Sequence, residues 1–260
     1  MSGERTPLPY GQRAVPVLMY HSIGGAGRLA VRPEAFAEQM AWLKDGGFTP
    51  LPFGARTRRA LRPVVITFDD GYADFHTHAL PVLESLGFAA TVFVTTGWLD
   101  DAGPYAAGSP PGRMLTWAQT EEITSTGVEV GAHGHSHRQL DQLGGPALRE
   151  ELHRSRELLQ ERLGRPVRSM AYPYGYSSAR VRREVRACGY TSACAVANAV
   201  MTERHDPYAV PRVTVRAGTS LEGFGRALEG RGFRTDHALT KGYAVVRRSR
   251  YAARRLRGVA

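Results

Sequence analysis

Residues 64–72 read Val-Val-Ile-Thr-Phe-Asp-Asp-Gly-Tyr. The unbroken apolar and β-branched run fits a strand buried on both faces, as in a parallel sheet. It stops at two adjacent carboxylates, and Gly71 permits a sharp turn behind them. Like charges at the end of a buried strand are costly unless a cation or a proton separates them. Asp69 and Asp70 can therefore divide two tasks, one binding a metal and the other staying free as a base. The competing explanation is a pair of helix N-caps ahead of a helical stretch at 73–86.

The same rhythm extends in both directions. Apolar runs at 15–20, 64–67, 90–94, 128–131, 168–172, 191–195 and 209–215 read as strands. Between them, 33–45, 73–86, 117–125, 147–163 and 178–187 have helical spacing. Pro33 suits a first helical turn, and Gly87, Gly127, Gly164 and Gly189 suit helix ends. Strand–helix alternation predicts an α/β fold with a parallel sheet, and seven strand candidates favour a barrel-like closure over an open sheet. Residues 99–113, with three prolines and three glycines, read as a long surface loop.

In such folds chemistry gathers where strands end. Residues 130–137, Val-Gly-Ala-His-Gly-His-Ser-His, place three imidazoles at alternating positions behind a strand. A solvated loop accounts for one histidine comfortably and for three poorly. One Asp and two His would leave coordination positions open for water and substrate. Spacing alone leaves the pair open: His133 with His137, His133 with His135, or His135 with His137. Residues 170–175, Met-Ala-Tyr-Pro-Tyr-Gly, form an irregular turn whose two aromatic rings could wall a sugar site or simply be buried. Tyr20-His21 closes the first strand, where a histidine is either structural or a general acid.

Taken together, these segments resemble the NodB-like polysaccharide deacetylases over about residues 14–216. Thr67-Phe68-Asp69-Asp70-Gly71 resembles the family's first motif, His133-Gly134-His135-Ser136-His137 its second, and Tyr172-Pro173-Tyr174-Gly175 its third. The resemblance implies a distorted (β/α) barrel of about seven strands. It implies Asp69 as general base, and Asp70, His133 and His137 as ligands of a divalent metal, with zinc the expected ion. His135 becomes a lining residue, and the Tyr174 backbone N–H an oxyanion donor. Two departures stand out. Ala171 occupies a position where many members carry an arginine that orients the base, and a late leucine-rich strand with its histidine is not evident. The branch acting on poly-N-acetylglucosamine has an early Tyr-His, like Tyr20-His21, and a late Pro-Arg, like Pro211-Arg212. That likeness makes His21 the candidate acid and Arg212 the candidate partner of Asp69.

The implied activity is removal of acetyl groups from N-acetylated sugars, in a polysaccharide or a lipid-linked intermediate. O-acetyl hydrolysis and a non-catalytic carbohydrate-binding barrel are the alternatives, and a base beside a metal argues against the latter. The 260 residues divide into a catalytic domain at 14–230 and a basic tail at 231–260. Of 34 lysines and arginines, seven lie in 241–260, where no acid occurs; the other 27 face 24 acids. An anionic membrane surface is the partner this tail suggests. Nucleic acid is not expected, since few aromatics interleave the charges. Without a leader-like segment or about 18 consecutive apolar residues, a cytoplasmic location is expected. Cys188 and Cys194 read as small buried side chains, with a single short bridge between them as the alternative.

Overall fold

The computed structural model describes residues 14–55 and 60–231. Eight strands lie at Val17–Tyr20 (β1), Thr49–Leu51 (β2), Pro63–Phe68 (β3), Thr91–Val94 (β4), Glu129–Ala132 (β5), Ser169–Ala171 (β6), Ser192–Cys194 (β7) and Val213–Thr214 (β8). Their order is β7-β6-β5-β4-β3-β1-β8, with β2 on the start of β3, and every pairing is parallel. Helices Pro33–Asp45 (α1), Leu80–Leu86 (α2), Trp117–Ser125 (α3), Gly145–Leu163 (α4), Ala179–Ala187 (α5) and Leu221–Leu228 (α6) accompany the sheet. This is the expected distorted (β/α) barrel, a curled sheet of seven consecutive neighbours plus β2.

The stretch 209–215 was expected as one strand and is divided. Val210 bridges Cys194 at the end of β7, while Val213 and Thr214 pair with Leu18 and Met19 of β1. Pro211 lies at the break, where it cannot donate to a ladder. One short segment thus ties together the two margins of the curled sheet. Proline also shapes the expected helix at 73–86. Pro81 has no N–H for an i→i−4 bond, and the helix opens as a π turn at Phe75–Ala79 before α2 begins. Strand β2 and helix α6 were not anticipated; both are short, and β2 has only one fully buried residue.

Side chains alternate between two apolar environments. Val64, Ile66 and Phe68 join the larger core with Phe36, Met40 and Leu83 of the helices. Val65 faces the barrel interior with Val17, Phe93, Ala171, Cys194 and Val210. The interior is narrow: a Cβ on Gly131 would stand 2.6 Å from the Phe93 ring, so β5 needs glycine there. Cys188 and Cys194 are buried and unlinked. The loop 99–113 carries one 3-10 turn at Gly103–Tyr105 and is pinned by Asp100 and Asp101, which accept from the Met114 and Trp117 amides. Among the described residues no helix is long and apolar enough to cross a membrane. The basic segment 241–260, and with it the expected membrane contact, lies outside the described residues.

Candidate active site

Strand periodicity decides which side chains meet. In β3 and just beyond it, Val65, Thr67 and Asp69 share the interior face by their period of two. Asp69 and Arg212 form a doubly bonded pair there, with Nη1–Oδ1 and Nη2–Oδ2 both 2.6 Å. The Arg212 Nη1 also donates to Thr67 Oγ1 at 3.1 Å, and its Nε to the Ala195 carbonyl at 3.3 Å. Arg212 is completely inaccessible to solvent and Asp69 is 3% exposed. Burial by itself would raise the Asp69 pKa; the guanidinium, helped by His133, outweighs it and holds the carboxyl below its usual range. Asp69 is thus a carboxylate held in one orientation.

Asp70 follows with a positive φ of 75°, and Gly71 with 89°. This turn swings the second carboxylate away from Arg212 and towards the loop after β5. Neither aspartate caps the helical segment behind it, whose N-cap is Asp74. His133 Nε2 and His137 Nε2 lie 3.3 and 3.2 Å from Asp70 Oδ1. That oxygen is buried and makes no well-directed hydrogen bond. The three donor atoms lie within 4.8 Å of one another. A tetrahedral ion with bonds of about 2.0–2.1 Å would set its ligands roughly 3.3–3.4 Å apart, so the separations suit one divalent cation. Burial would raise Asp70, but the two imidazoles outweigh it and hold its carboxyl low.

Each imidazole is oriented from behind. His133 Nδ1 donates to the Ala171 carbonyl at 2.9 Å, leaving Nε2 to face Asp70, a common arrangement around metal-binding histidines. Burial would lower the His133 pKa; Asp69 and Asp70 outweigh it and raise it. His137, at a φ of 56°, stacks on Trp98 with ring centroids 4.5 Å apart and lies 4.7 Å from the Tyr174 ring. His135 turns elsewhere, its Nδ1 bonded to Thr96 Oγ1 at 2.9 Å. The third motif also turns sharply, with Tyr174 and Gly175 at φ 63° and 73°. The Gly175 amide bonds the Tyr172 carbonyl, and the Tyr174 ring is about half exposed. His21 borders the same chamber. Burial lowers its pKa, Asp69 and Asp70 pull it upward, and its Nδ1 is buried without a hydrogen-bond partner.

Known proteins resemble this chain over most of its length. The family profile for polysaccharide deacetylase spans residues 57–193, more than half of the chain. The chain belongs to the polysaccharide deacetylase family. YxkH of Bacillus subtilis (strain 168) is 29% identical over 224 residues, covering 83% of this chain and 76% of its own. The poly-beta-1,6-N-acetyl-D-glucosamine N-deacetylase of Staphylococcus aureus (strain MRSA252) is 22% identical, over 80% of this chain and 81% of its own. Among solved structures, IcaB from Ammonifex degensii superposes with a TM-score of 0.70 at 25% identity, covering 84% of this chain and 98% of its own. BC0361, a polysaccharide deacetylase from Bacillus cereus, gives 0.73 at 28%, covering 84% and 69%.

Three contributors to this deacetylase's site were not read from its sequence. Glu151, on α4, is buried; its Oε2 accepts from the His135 and Ser136 amides at 3.0 Å each, and its Oε1 bonds the Ser136 hydroxyl. It fixes the loop that carries both imidazoles. Trp98 supports His137, and the Ala171 carbonyl orients His133. Glu151 follows Glu150 on a charged helix, which reads as a solvated face. Only the buried face of α4, through Leu148, Leu152 and Ser155, distinguishes the second glutamate from the first.

Proposed function

We propose that the protein is a metal-dependent N-deacetylase acting on an N-acetylglucosamine-containing polysaccharide. The observation that carries this reading is the doubly bonded Asp69–Arg212 pair beside the converging Asp70, His133 and His137. A binding module has no use for an oriented carboxylate next to a cation site. A divalent ion held by Asp70, His133 and His137, with zinc suiting two imidazoles and one carboxylate, would supply Lewis acidity and lower the pKa of water there. Asp69 takes the proton of the attacking water, and Arg212 keeps its carboxylate aimed. The Tyr174 N–H donates to the acetyl oxygen as negative charge develops on it. His21 protonates the departing amine. The acetamide C–N bond breaks, and acetate and a free amino sugar leave.

The choice of sugar follows the relatives whose names specify poly-β-1,6-N-acetylglucosamine, together with Tyr20-His21 and Pro211-Arg212. Acetate release from N-acetylglucosamine oligomers and from O-acetylated glycans, before and after chelation, tests the reading. The expected result is release from the N-acetylated oligomers that chelation abolishes and zinc restores. Release confined to O-acetylated glycans would replace it with the esterase reading, and indifference to chelation would remove the metal.

A further inference from the structure

Helix α5 carries four arginines against one glutamate in nine residues. Val181 and Val185 take its buried face. Ala179, Arg182, Arg183 and Arg186 fall within about a third of a turn of one another, because residues three and four apart share a helix face. They line a groove of about 580 Å³ that Asp206 and Tyr208 complete. The proposed acetyl chemistry uses none of these side chains.

The groove is held in shape by bonds to the core. Tyr208 is fixed at three points: its hydroxyl donates to the Tyr190 carbonyl at 3.1 Å, its amide donates to Asp206 Oδ1 at 3.0 Å, and its carbonyl accepts from the Tyr172 hydroxyl at 2.8 Å. The Arg186 guanidinium lies over the Tyr208 ring, 4.7 Å from its centroid, which leaves its N–H groups free. Arg182 is paired through Nε with Asp206 Oδ2 at 3.2 Å, and its Nη1 reaches Ser177 Oγ at 3.4 Å. Arg183 is exposed. Among the described residues, neither the Arg183 nor the Arg186 side chain has a hydrogen-bond acceptor or a carboxylate as partner.

A cation in the last turn suits the helix dipole, which accounts for Arg186 but not for Arg183 or the groove. Like charges three and four residues apart repel, so these arginines weaken the helix unless anions lie among them. Asp206 supplies one negative charge, and two guanidiniums remain uncompensated. A phosphate monoester carries about 1.5–2 negative charges at neutral pH, and its oxygens match the guanidinium fork. We infer that this groove binds a phosphate monoester, with Arg183 and Arg186 on its oxygens and the esterified group lying along the groove. The same chemistry belongs to a soluble phosphate ester and to a phosphatidate headgroup at a membrane surface. The inference stands independently of the deacetylase reading.

Two probes separate those sources on the full chain: calorimetry with glycerol phosphate, and co-sedimentation with phosphatidylcholine vesicles containing phosphatidic acid. Wild type is compared with Arg183→Gln/Arg186→Gln and with Arg165→Gln/Arg168→Gln. The latter removes the same charge at exposed positions outside the groove. The groove variant should bind at least about tenfold more weakly than wild type, and the control variant should bind like wild type. Weakening with glycerol phosphate assigns a soluble ester, and weakening confined to the vesicles assigns the lipid headgroup. Failure of both probes to bind wild type, equal weakening in both variants, or a groove variant that binds like wild type would overturn the inference. Both substituted side chains are exposed and glutamine suits a helix, so the fold should survive. If the double variant fails to fold, Arg183→Gln alone carries the same comparison.

Discussion

The barrel interior holds a carboxylate at each end, one buried and one partly buried, and the two differ in what meets them. At the carboxyl ends of the strands, Asp69 faces the Arg212 guanidinium at 2.6 Å through both oxygens. At the amino ends, Glu129 opens β5 and, among the described residues, accepts from two neutral hydroxyls, Ser169 Oγ at 2.5 Å and Thr91 Oγ1 at 3.1 Å. Thr91 and Ser169 open β4 and β6, so all three belong to the same layer. Burial raises both carboxyls. Arg212 reverses the effect on Asp69, whereas the hydroxyls near Glu129 only soften it, leaving that group at about 7. Burial alone therefore does not decide which form a carboxyl keeps; a facing cation does. One end keeps its charge into acid solution, while the other holds its proton up to about pH 7.

Breaking the charged end should produce the largest effects. Arg212→Met leaves Asp69 buried and unpaired, which costs about 3–5 kcal/mol when one partner of such a pair is removed. Urea unfolding should show that loss, and acetate release should fall with it. The double variant Asp69→Asn/Arg212→Met should be less destabilised than the sum of the two single variants, since neither then strands the other. Strict additivity would show that the pair is not energetically coupled. Asp69→Asn alone should reduce turnover by about 10²–10⁴, as for a general base, while bound metal measured by elemental analysis stays near wild type. Near-wild-type turnover would remove Asp69 from the base role. A smaller, selective effect is expected at His21: His21→Ala should impair acetamides more than activated acetyl esters, whose leaving groups need little protonation. Equal impairment of both would make His21 structural.

The charged end was largely legible in the sequence because its residues stand where apolar runs stop. Asp69-Asp70 and His133 to His137 follow strands directly, so periodicity placed them at one end of the barrel. Spacing could not separate His137 from His135; the structure does so through the positive φ at His137 and the Thr96 bond of His135. Arg212 was reached through resemblance alone, since 143 residues separate it from Asp69 and no local pattern announces a buried arginine. Glu151 was missed because its partners are backbone amides, which carry no residue signature. The neutral end was missed for a related reason. A glutamate opening a strand reads as a solvated terminus until Ser169 and Thr91 are seen beside it. The division of 209–215 depended on which margins of the sheet it had to join, which is tertiary information.

The neutral end yields the smallest expected effect and the sharpest test of the comparison, because its pH dependence has the opposite sign. Glu129 binds its proton more tightly folded, at about 7, than its ordinary 4.5. Its contribution to stability is fully present below about 4.5 and is lost as pH rises through about 7. Asp69 behaves in reverse, contributing above its ordinary 3.8 and losing that contribution only in more acidic solution. The two windows do not overlap, so melting temperatures between about pH 5 and 8 see Glu129 titrate while Asp69 stays ionised. His21 and His133 also respond in that range, but they are common to wild type and Glu129→Gln and cancel in the difference between the two. Glutamine keeps an acceptor for Ser169 and Thr91 and cannot ionise, so the stability of wild type relative to Glu129→Gln should decline as pH rises across this interval. Parallel melting curves would mean that Glu129 is charged in the folded state, and that the Arg212 guanidinium beside Asp69 is not what distinguishes the two ends of the barrel.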